Sequence, residues 1–248
     1  MSSLIIGGTA AYHLAFERFA TVLDEAPIET PFGTAGPVLR FRYAGQDCAF
    51  LSRHGGQGRL GVTPPFINYR ANVWAARALG VRRILSWNSA GSLVRSLEPG
   101  SIAAVSDIID WTRGRPQTFG EDAAIGHHQT DALFDSGLRQ ALVRAAAAVG
   151  HRASPAAIYA GTEGARLETA AEIRLLAQAG AEVVGMTMAP EVFLAAELGL
   201  QYGSLCWISN YATGVPFDGP ERRLFGAEVG PLMLSIILKL LEQEGAAT

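Results

Sequence analysis

Five short segments of the sequence carry polar side chains and glycines suited to holding a ligand, and each follows a strand-like apolar run. They are Gly8-Thr9, Arg53-His54, residues 88–91, residues 185–187 and Ser209-Asn210. Ligands of α/β sheets bind at the carboxyl ends of the strands, so the spacing predicts one site built from all five. Each segment alone also has an ordinary interpretation as a glycine turn, a surface position or a satisfied core pair.

The elements that would position these segments follow from the periodicity. Strand-like runs alternate with Ala- and Leu-rich helical runs, which is typical of α/β folds. Strands are predicted at residues 4–6, 38–43, 48–52, 81–87, 183–186 and 202–208. Helices are predicted at residues 69–79, 138–149, 167–179, 190–198 and 232–241, with Pro190 in a first turn and several helices ended by glycine. The irregular segments 55–65, 113–136 and 212–222 are expected to be functional loops.

Length and composition limit the classes of protein that need to be considered. The 248 residues suit a single α/β domain over residues 1–248, and 49% hydrophobic against 17% charged residues favours a large core. The net charge of −3 argues against a nucleic-acid partner. The start shows no leader pattern and no apolar run approaches ~20 residues, so we expect a cytoplasmic protein that does not enter membranes.

Several kinds of chemistry are disfavoured by single residues. Lys239 is the only lysine and lies in an amphipathic run, which excludes a lysine phosphate loop and Schiff-base chemistry. The glycines that follow the first strand lack the spacing of a dinucleotide-binding turn. Cys48 and Cys206 both lie in apolar strand-like runs, so we expect reduced thiols in the core.

The order of motifs carries the strongest functional signal. LIIGGT, ETPFG, RHG, NYRANVWA, NSAGSL, TEGARLET, GMTMAPE and ISNY occur in this order between residues 4 and 212. In them the chain resembles the trimeric purine nucleoside phosphorylases and 5'-methylthioadenosine phosphorylases, and most of all the bacterial S-methyl-5'-thioinosine phosphorylases. The resemblance implies a central mixed β-sheet, partly barrel-like and flanked by helices, in a homotrimer or a hexamer. It also implies cleavage of the N-glycosidic bond of a purine nucleoside by inorganic phosphate, a co-substrate, without a cofactor.

The resemblance assigns five residues to phosphate: Thr9, Arg53, His54, Asn88 and Ser89. A guanidinium group with hydroxyl and backbone donors suits an oxyanion, and phosphate requires donors without an acidic neighbour. Residues 56–58 read Gly-Gln-Gly where many relatives carry a further histidine. This departure predicts weaker phosphate binding, or a replacement donor from Arg59.

The sugar contacts implied by the resemblance are Met186 and Thr187, with Ala90 and Gly91 also on the substrate side. His127 stands where relatives send a histidine into the neighbouring subunit's sugar site. His127 and His128 do not form a recognised ligand pattern with the nearby Asp131 and Asp135, so no metal is expected.

The 5' end of the sugar is matched by the segment around Phe225, with Leu224 before it and Gly226 after it. Phosphorylases of ordinary nucleosides place a histidine near the 5'-hydroxyl, whereas no histidine follows His151 in this chain. This favours a 5'-methylthio or other apolar 5' substituent.

Base recognition is assigned to Glu168 and Asn210. Relatives acting on 6-aminopurines carry serine and aspartate, respectively, at these positions. Glu168 can accept a hydrogen bond from the N1–H of a 6-oxopurine, and an amide can donate to N7 without first being protonated. Outside catalysis, Glu168 would cap a helix and Asn210 would form a turn.

The preferred reaction is therefore phosphorolysis of a 6-oxopurine nucleoside, with S-methyl-5'-thioinosine as the first choice of substrate. Inosine or guanosine phosphorylase and 5'-methylthioadenosine phosphorylase are the nearest alternatives. A nucleosidase that uses water and a non-catalytic purine-binding homologue are the more distant ones.

Overall fold

The computed structural model describes residues 1–8, 10–11, 14–55, 61–120, 129–218 and 226–246, which form a mixed β-sheet of nine strands with helices around it. The strands are β1 Leu4–Gly7, β2 Thr21–Thr30, β3 Gly33–Tyr43, β4 Gln46–Ser52, β5 Arg83–Ser92, β6 Ile102–Trp111, β7 Ala153–Thr162, β8 Val183–Gly185 and β9 Gln201–Tyr211. The α-helices are α1 Tyr69–Ala78, α2 Ser136–Ala148, α3 Ala170–Gln178, α4 Met188–Glu197 and α5 Val229–Gly245. Short 3-10 helices lie at Phe16–Arg18 and Pro64–Phe66.

Half of the sheet closes on itself. The strand order is β2-β3-β4-β1-β5-β8-β7-β6-β9, and β9 pairs back with β5, so the last five strands form a barrel. Strands β4, β1, β5 and β9 run in the same direction, whereas β8 is antiparallel to β5 and β6 is antiparallel to β9. This confirms the α/β fold with a mixed, partly barrel-like sheet.

Alternation along the buried strands divides the core between two faces of the sheet. In β1, Leu4 and Ile6 pack into a cluster with α1 and α4, while Ile5 packs into a second cluster with α2 and α5. Successive side chains of a strand point to opposite faces, which explains why a strand buried on both sides is apolar throughout. Cys48 and Cys206 are free and buried in these clusters, as expected.

Three strands were not predicted from the sequence. β2 is an edge strand with mostly exposed or half-buried residues, so it lacks a clear apolar pattern. β7 contains four alanines, and β6 carries Asp107 and Asp110 among its apolar residues; alanine and aspartate both have low β-propensity. The strand conformation of β6 and β7 depends on their pairing with each other and with β8 and β9. Tertiary pairing here overrides the local signal.

Two predicted strand ends also differ from the structure. β5 continues to Ser92 and β9 to Tyr211, so residues 88–91 and 209–210 lie within strands. The two strands pair with each other up to Ser92 and Tyr211, which keeps both extended.

No helix in the described part of the chain is long and apolar enough to cross a membrane.

Candidate functional site

A cavity of about 180 Å³ lies where the five predicted segments meet. Gly8, His54, residues 88–91, residues 185–187 and Ser209-Asn210 all line it, together with Glu168. The structure thus brings together most of the residues that the sequence selected. Thr9, His127 and Phe225 lie outside the described residues, as do Arg59 and residues 56–58, and their roles stay predictions.

Arg53 lies behind the cavity wall. It is 1% exposed, and Nε and Nη2 donate to the two carboxylate oxygens of Glu191 at 2.6 and 2.8 Å, while Nη1 donates to the Trp87 carbonyl at 3.1 Å. Burial alone would lower the pKa of Arg53, but the charge and hydrogen bonds of Glu191 raise it overall. The expectation of donors without an acidic neighbour is therefore wrong for Arg53, because a buried guanidinium requires a counter-charge.

Gly8, directly after β1, packs against the Arg53 guanidinium. A methyl group on Gly8 would lie 3.0 Å from Nη1 and 2.5 Å from the Trp87 carbonyl oxygen. Gly8 therefore lets the backbone at the cavity wall approach the guanidinium closely.

His54 is fixed in the wall by one hydrogen bond. Its Nδ1 lies 2.9 Å from the Val62 carbonyl oxygen, so Nδ1 carries the proton and donates. Burial lowers the pKa of His54, and the nearby charge of Arg53 lowers it further. The neutral imidazole presents Nε2 as an acceptor, which suits a protonated ligand oxygen.

Asn88 and Thr187 are joined across the wall. The Thr187 hydroxyl donates to Asn88 Oδ1 at 2.7 Å, and Asn88 Nδ2 donates to Ser204 Oγ at 3.0 Å. Both residues are buried at the edge of the cavity, and Asn88 is 1% exposed. Asn88 thus holds Thr187 as well as facing the site. Ser89, in contrast, is half-buried on the cavity surface.

Met186 lies half-buried in the wall directly after β8. Its sulfur packs against the backbone of Gly164, where an added methyl group would lie 2.6 Å away. Its carbonyl accepts a hydrogen bond of 2.7 Å from Arg115. Ala90 and Gly91 complete the wall on β5, where Gly91 pairs with Val184 of β8.

Arg115 is a positioning residue that sequence reasoning missed. Its guanidinium also donates to the carbonyls of Ala189, Thr162 and Glu163 and to the hydroxyl of Tyr69. It therefore ties the end of β7 to the connection between β8 and α4. Arg115 lies in a segment interpreted as an irregular loop, and no local pattern marks it as buried.

Glu168 reaches the cavity from the loop before α3 and is 8% exposed. The hydroxyl of Thr162 donates to Glu168 Oε1 at 2.5 Å. The alternative role of Glu168 as a helix cap is wrong. Thr169 caps α3, and it forms a capping box with Glu172.

Asn210 is directed by an irregularity in β9. The pairing of β5 with β9 shifts between Ala90 and Gly91, so Ser209 is an extra residue without its own partner. Such a bulge turns the following side chain. The Ser209 hydroxyl donates to Asn210 Oδ1 at 2.8 Å, and Asn210 Nδ2 donates to the Tyr211 carbonyl at 2.8 Å. Asn210 is thus part of a strand and not of a turn.

The described residues contain no group of three or more His, Cys, Asp or Glu side chains that could hold a metal ion. His127 and His128 lie outside them.

Comparisons with known proteins identify the family. The model of the phosphorylase superfamily matches residues 3–242. The chain is 38% identical to a probable 6-oxopurine nucleoside phosphorylase of Moorella thermoacetica, over 99% of this chain and 88% of that protein. It is 41% identical to a probable S-methyl-5'-thioinosine phosphorylase of Methanopyrus kandleri, over 96% and 88%. Methylthioadenosine phosphorylase from Schistosoma mansoni in complex with tubercidin superposes with a TM-score of 0.85 at 27% identity, over 99% and 92%. The chain belongs to the phosphorylase superfamily, among its nucleoside phosphorylases.

Proposed function

We propose that this enzyme cleaves 6-oxopurine nucleosides with inorganic phosphate, releasing the free purine and a sugar 1-phosphate, and that S-methyl-5'-thioinosine is its preferred substrate. The observation that carries the proposal is that Glu168 and Asn210 line the same cavity as His54 and Ser89. The cavity thus combines groups suited to a purine edge with a hydroxyl donor and an imidazole acceptor that suit a partly protonated phosphate. The names of the relatives from Moorella thermoacetica and Methanopyrus kandleri agree with this reaction.

The order of strands places the two groups of site residues on opposite sides of β5. His54 and Gly8 follow β4 and β1 on one side of β5, whereas Glu168 is held at the end of β7, beyond β8. Phosphate would approach C1' from the side of His54, Asn88 and Ser89. The purine would lie toward Glu168 and Asn210.

The chemistry requires stabilisation of two developing charges. As the glycosidic bond breaks, C1' becomes cationic and the purine becomes anionic. Asn210 can donate to N7 and so stabilise the leaving base, and Glu168 can accept from N1–H. The uncharged thioether of Met186 and the Thr187 hydroxyl would contact the sugar. None of these groups repels a cationic sugar carbon.

The proposal includes a cytoplasmic homotrimer or hexamer without a cofactor, with His127 supplied to a neighbouring sugar site and Phe225 near the 5' substituent. Thr9 would complete the phosphate site. These parts rest on the resemblance of the sequence motifs, because all three residues lie outside the described part of the chain.

A phosphate-independent nucleosidase is the second candidate, and one observation favours it. Arg53 is the expected phosphate ligand, but two of its three guanidinium nitrogens donate hydrogen bonds to Glu191. If Arg53 does not bind phosphate, water could replace phosphate as the nucleophile.

Base release from inosine, guanosine, S-methyl-5'-thioinosine and 5'-methylthioadenosine, with and without phosphate, tests both candidates. We expect release to depend on phosphate and to be fastest with S-methyl-5'-thioinosine. Release that ignores phosphate would establish the nucleosidase. A preference for 5'-methylthioadenosine would contradict the assigned roles of Glu168 and Asn210.

A further inference from the structure

Thr162 is the last residue of β7 and lies directly behind Glu168. It is 6% exposed, and its hydroxyl lies 2.5 Å from Glu168 Oε1 and 3.3 Å from the Gly185 carbonyl oxygen. Both neighbours are acceptors, so the hydroxyl is the donor. Because Thr162 is β-branched and ends a strand, its hydroxyl has few alternative directions.

The backbone of Thr162 is also fixed. Arg115 Nη2 donates to the Thr162 carbonyl at 3.3 Å and to the adjacent Glu163 carbonyl. Arg115 is itself buried, with 8% exposure. The Thr162 hydroxyl, which donates to Glu168, therefore belongs to a rigid part of the barrel.

Glu168 separates two cavities. On one side is the cavity described above, and on the other is a second cavity of about 170 Å³ that Arg113 and Arg166 line together with Thr162. The two cavities share Glu168 and no other described residue. The orientation of the Glu168 carboxylate therefore determines which of the two cavities its unbonded oxygen faces.

Groups of both charges line the second cavity: the guanidinium groups of Arg113 and Arg166 and the carboxylates of Glu163 and Glu172. The pKa of Arg166 is raised, first by its hydrogen bonds to Glu172 and also by the charge of Glu168. The guanidinium of Arg113 has no hydrogen-bond partner among the described residues, and its side chain is exposed. Arg166 is already paired with Glu172, so the guanidinium of Arg113 is the group left to compete with the purine for Glu168. The Thr162 hydroxyl opposes this competition because it engages Oε1 at the end of β7.

Oε2 of Glu168 has no hydrogen-bond partner among the described residues, and it is not enclosed. With Oε1 held by Thr162, Oε2 is the oxygen left to accept a hydrogen bond from a ligand. We infer that Thr162 is a positioning residue that determines purine specificity, by holding Oε1 of Glu168 at the end of β7 so that Oε2 is left to accept from N1–H. This inference rests on the proposed function, since it presupposes a 6-oxopurine substrate.

The matched variants are Thr162→Val, which removes the hydroxyl at nearly constant shape, and Thr162→Ser, which keeps it. The measurement is kcat/KM for S-methyl-5'-thioinosine and for 5'-methylthioadenosine, with the KM for phosphate and the thermal midpoint of each variant. We expect Thr162→Val to lose about tenfold or more with the 6-oxopurine, as for a lost hydrogen bond to a charged group. Its rate with the 6-aminopurine and its phosphate KM stay unchanged, and serine restores the wild-type ratio. A merely structural threonine would affect both substrates alike.

A double-mutant cycle with Glu168→Gln tests whether Thr162 acts through Glu168. In the presence of Glu168→Gln, Thr162→Val should have little further effect, because interacting residues are not additive. Additive losses would overturn the inference. If the valine variant does not fold, Thr162→Ala removes the same hydroxyl with less bulk and enters the same cycle.

The two possible failures can be told apart. A wild-type enzyme that does not prefer 6-oxopurines contradicts the proposed function, and the role of Thr162 with it. A wild-type enzyme that has this preference and keeps it in Thr162→Val contradicts the role of Thr162 alone.

Discussion

Arg53 and Glu191 form a bidentate ion pair in which both side chains are fully shielded from solvent. Arg53 follows β4, and Glu191 lies in the first turn of α4. The hydroxyl of Tyr202 on β9 donates to the same carboxylate at 2.7 Å. The pair therefore links three elements behind the candidate phosphate site.

The first prediction concerns the stability supplied by this pair. Glu191→Gln should lower the free energy of unfolding by about 3–5 kcal/mol, because removing one partner leaves a buried guanidinium without its counter-charge. Urea unfolding at one fixed protein concentration and without phosphate measures the change, since both oligomerisation and ligand binding alter apparent stability.

An exposed ion pair provides the control. Arg42 and Asp47 lie 2.7 Å apart with both side chains exposed, and Asp47→Asn should cost less than about 1 kcal/mol. If the two variants lose the same unfolding free energy, burial does not make the Arg53–Glu191 pair more important for stability than an exposed pair.

This ion pair also illustrates where sequence reasoning stops. The alternation of strands and helices predicted the fold class, and the strand ends predicted which segments meet. The partner of Arg53 lies 138 positions away, and nothing in the local pattern of either residue marks the contact. The same holds for Arg115, whose acceptors lie 46 to 74 positions distant.

The base-recognition residues show a different limit. The resemblance selected Glu168 and Asn210 by position, but the groups that orient them depend on tertiary structure. The bulge at Ser209 arises from pairing between β5 and β9, and the bond from Thr162 arises from the path of the chain after β7. Sequence motifs can thus predict which residue types form the site. The orientation of their side chains depends on contacts that exist only in the folded barrel.

The second prediction concerns Gly185, where β8 meets Tyr159. A methyl group at Gly185 would lie 2.2 Å from the hydroxyl oxygen and 2.9 Å from Cζ of this fully buried tyrosine. Because the ring has no room to move, Gly185→Ala should cost about 1–3 kcal/mol in unfolding free energy. The Tyr159 hydroxyl also accepts a hydrogen bond from the Thr187 backbone at 3.3 Å, so activity should fall as well.

Gly91→Ala is the matched control, because Gly91 lines the same cavity. A methyl group there would have its nearest neighbours at 3.4 Å, an ordinary contact distance. Its stability should change by less than about 0.5 kcal/mol. If the two variants lose equal stability, the clash with Tyr159 is not the cause.

The third prediction concerns the pH dependence of stability. Burial lowers the pKa of His54 below its ordinary 6.5, so the folded protein binds fewer protons at this site than the unfolded chain does. Stability from this group is therefore complete above about pH 6.5 and is lost as the pH falls from there toward the lowered pKa.

Unfolding free energies measured between pH 7.5 and pH 5 check this sign. We expect His54→Gln to reduce the slope in this range relative to the wild type. A slope that is unchanged by the substitution would mean that the pKa of His54 is the same in the folded and unfolded states.

The fourth prediction concerns the choice of purine. In the double variant Glu168→Ser, Asn210→Asp, position 168 no longer offers a carboxylate acceptor to the N1–H of a 6-oxopurine. The new aspartate would face O6 as a second acceptor, whereas it can accept a hydrogen bond from a 6-amino group. The ratio of kcat/KM for 5'-methylthioadenosine to that for S-methyl-5'-thioinosine should rise by about 100-fold, with each single variant intermediate. The KM for phosphate should stay constant, because His54, Asn88 and Ser89 are untouched. A ratio that does not move, in variants with wild-type thermal midpoints, would show that Glu168 and Asn210 do not recognise the base.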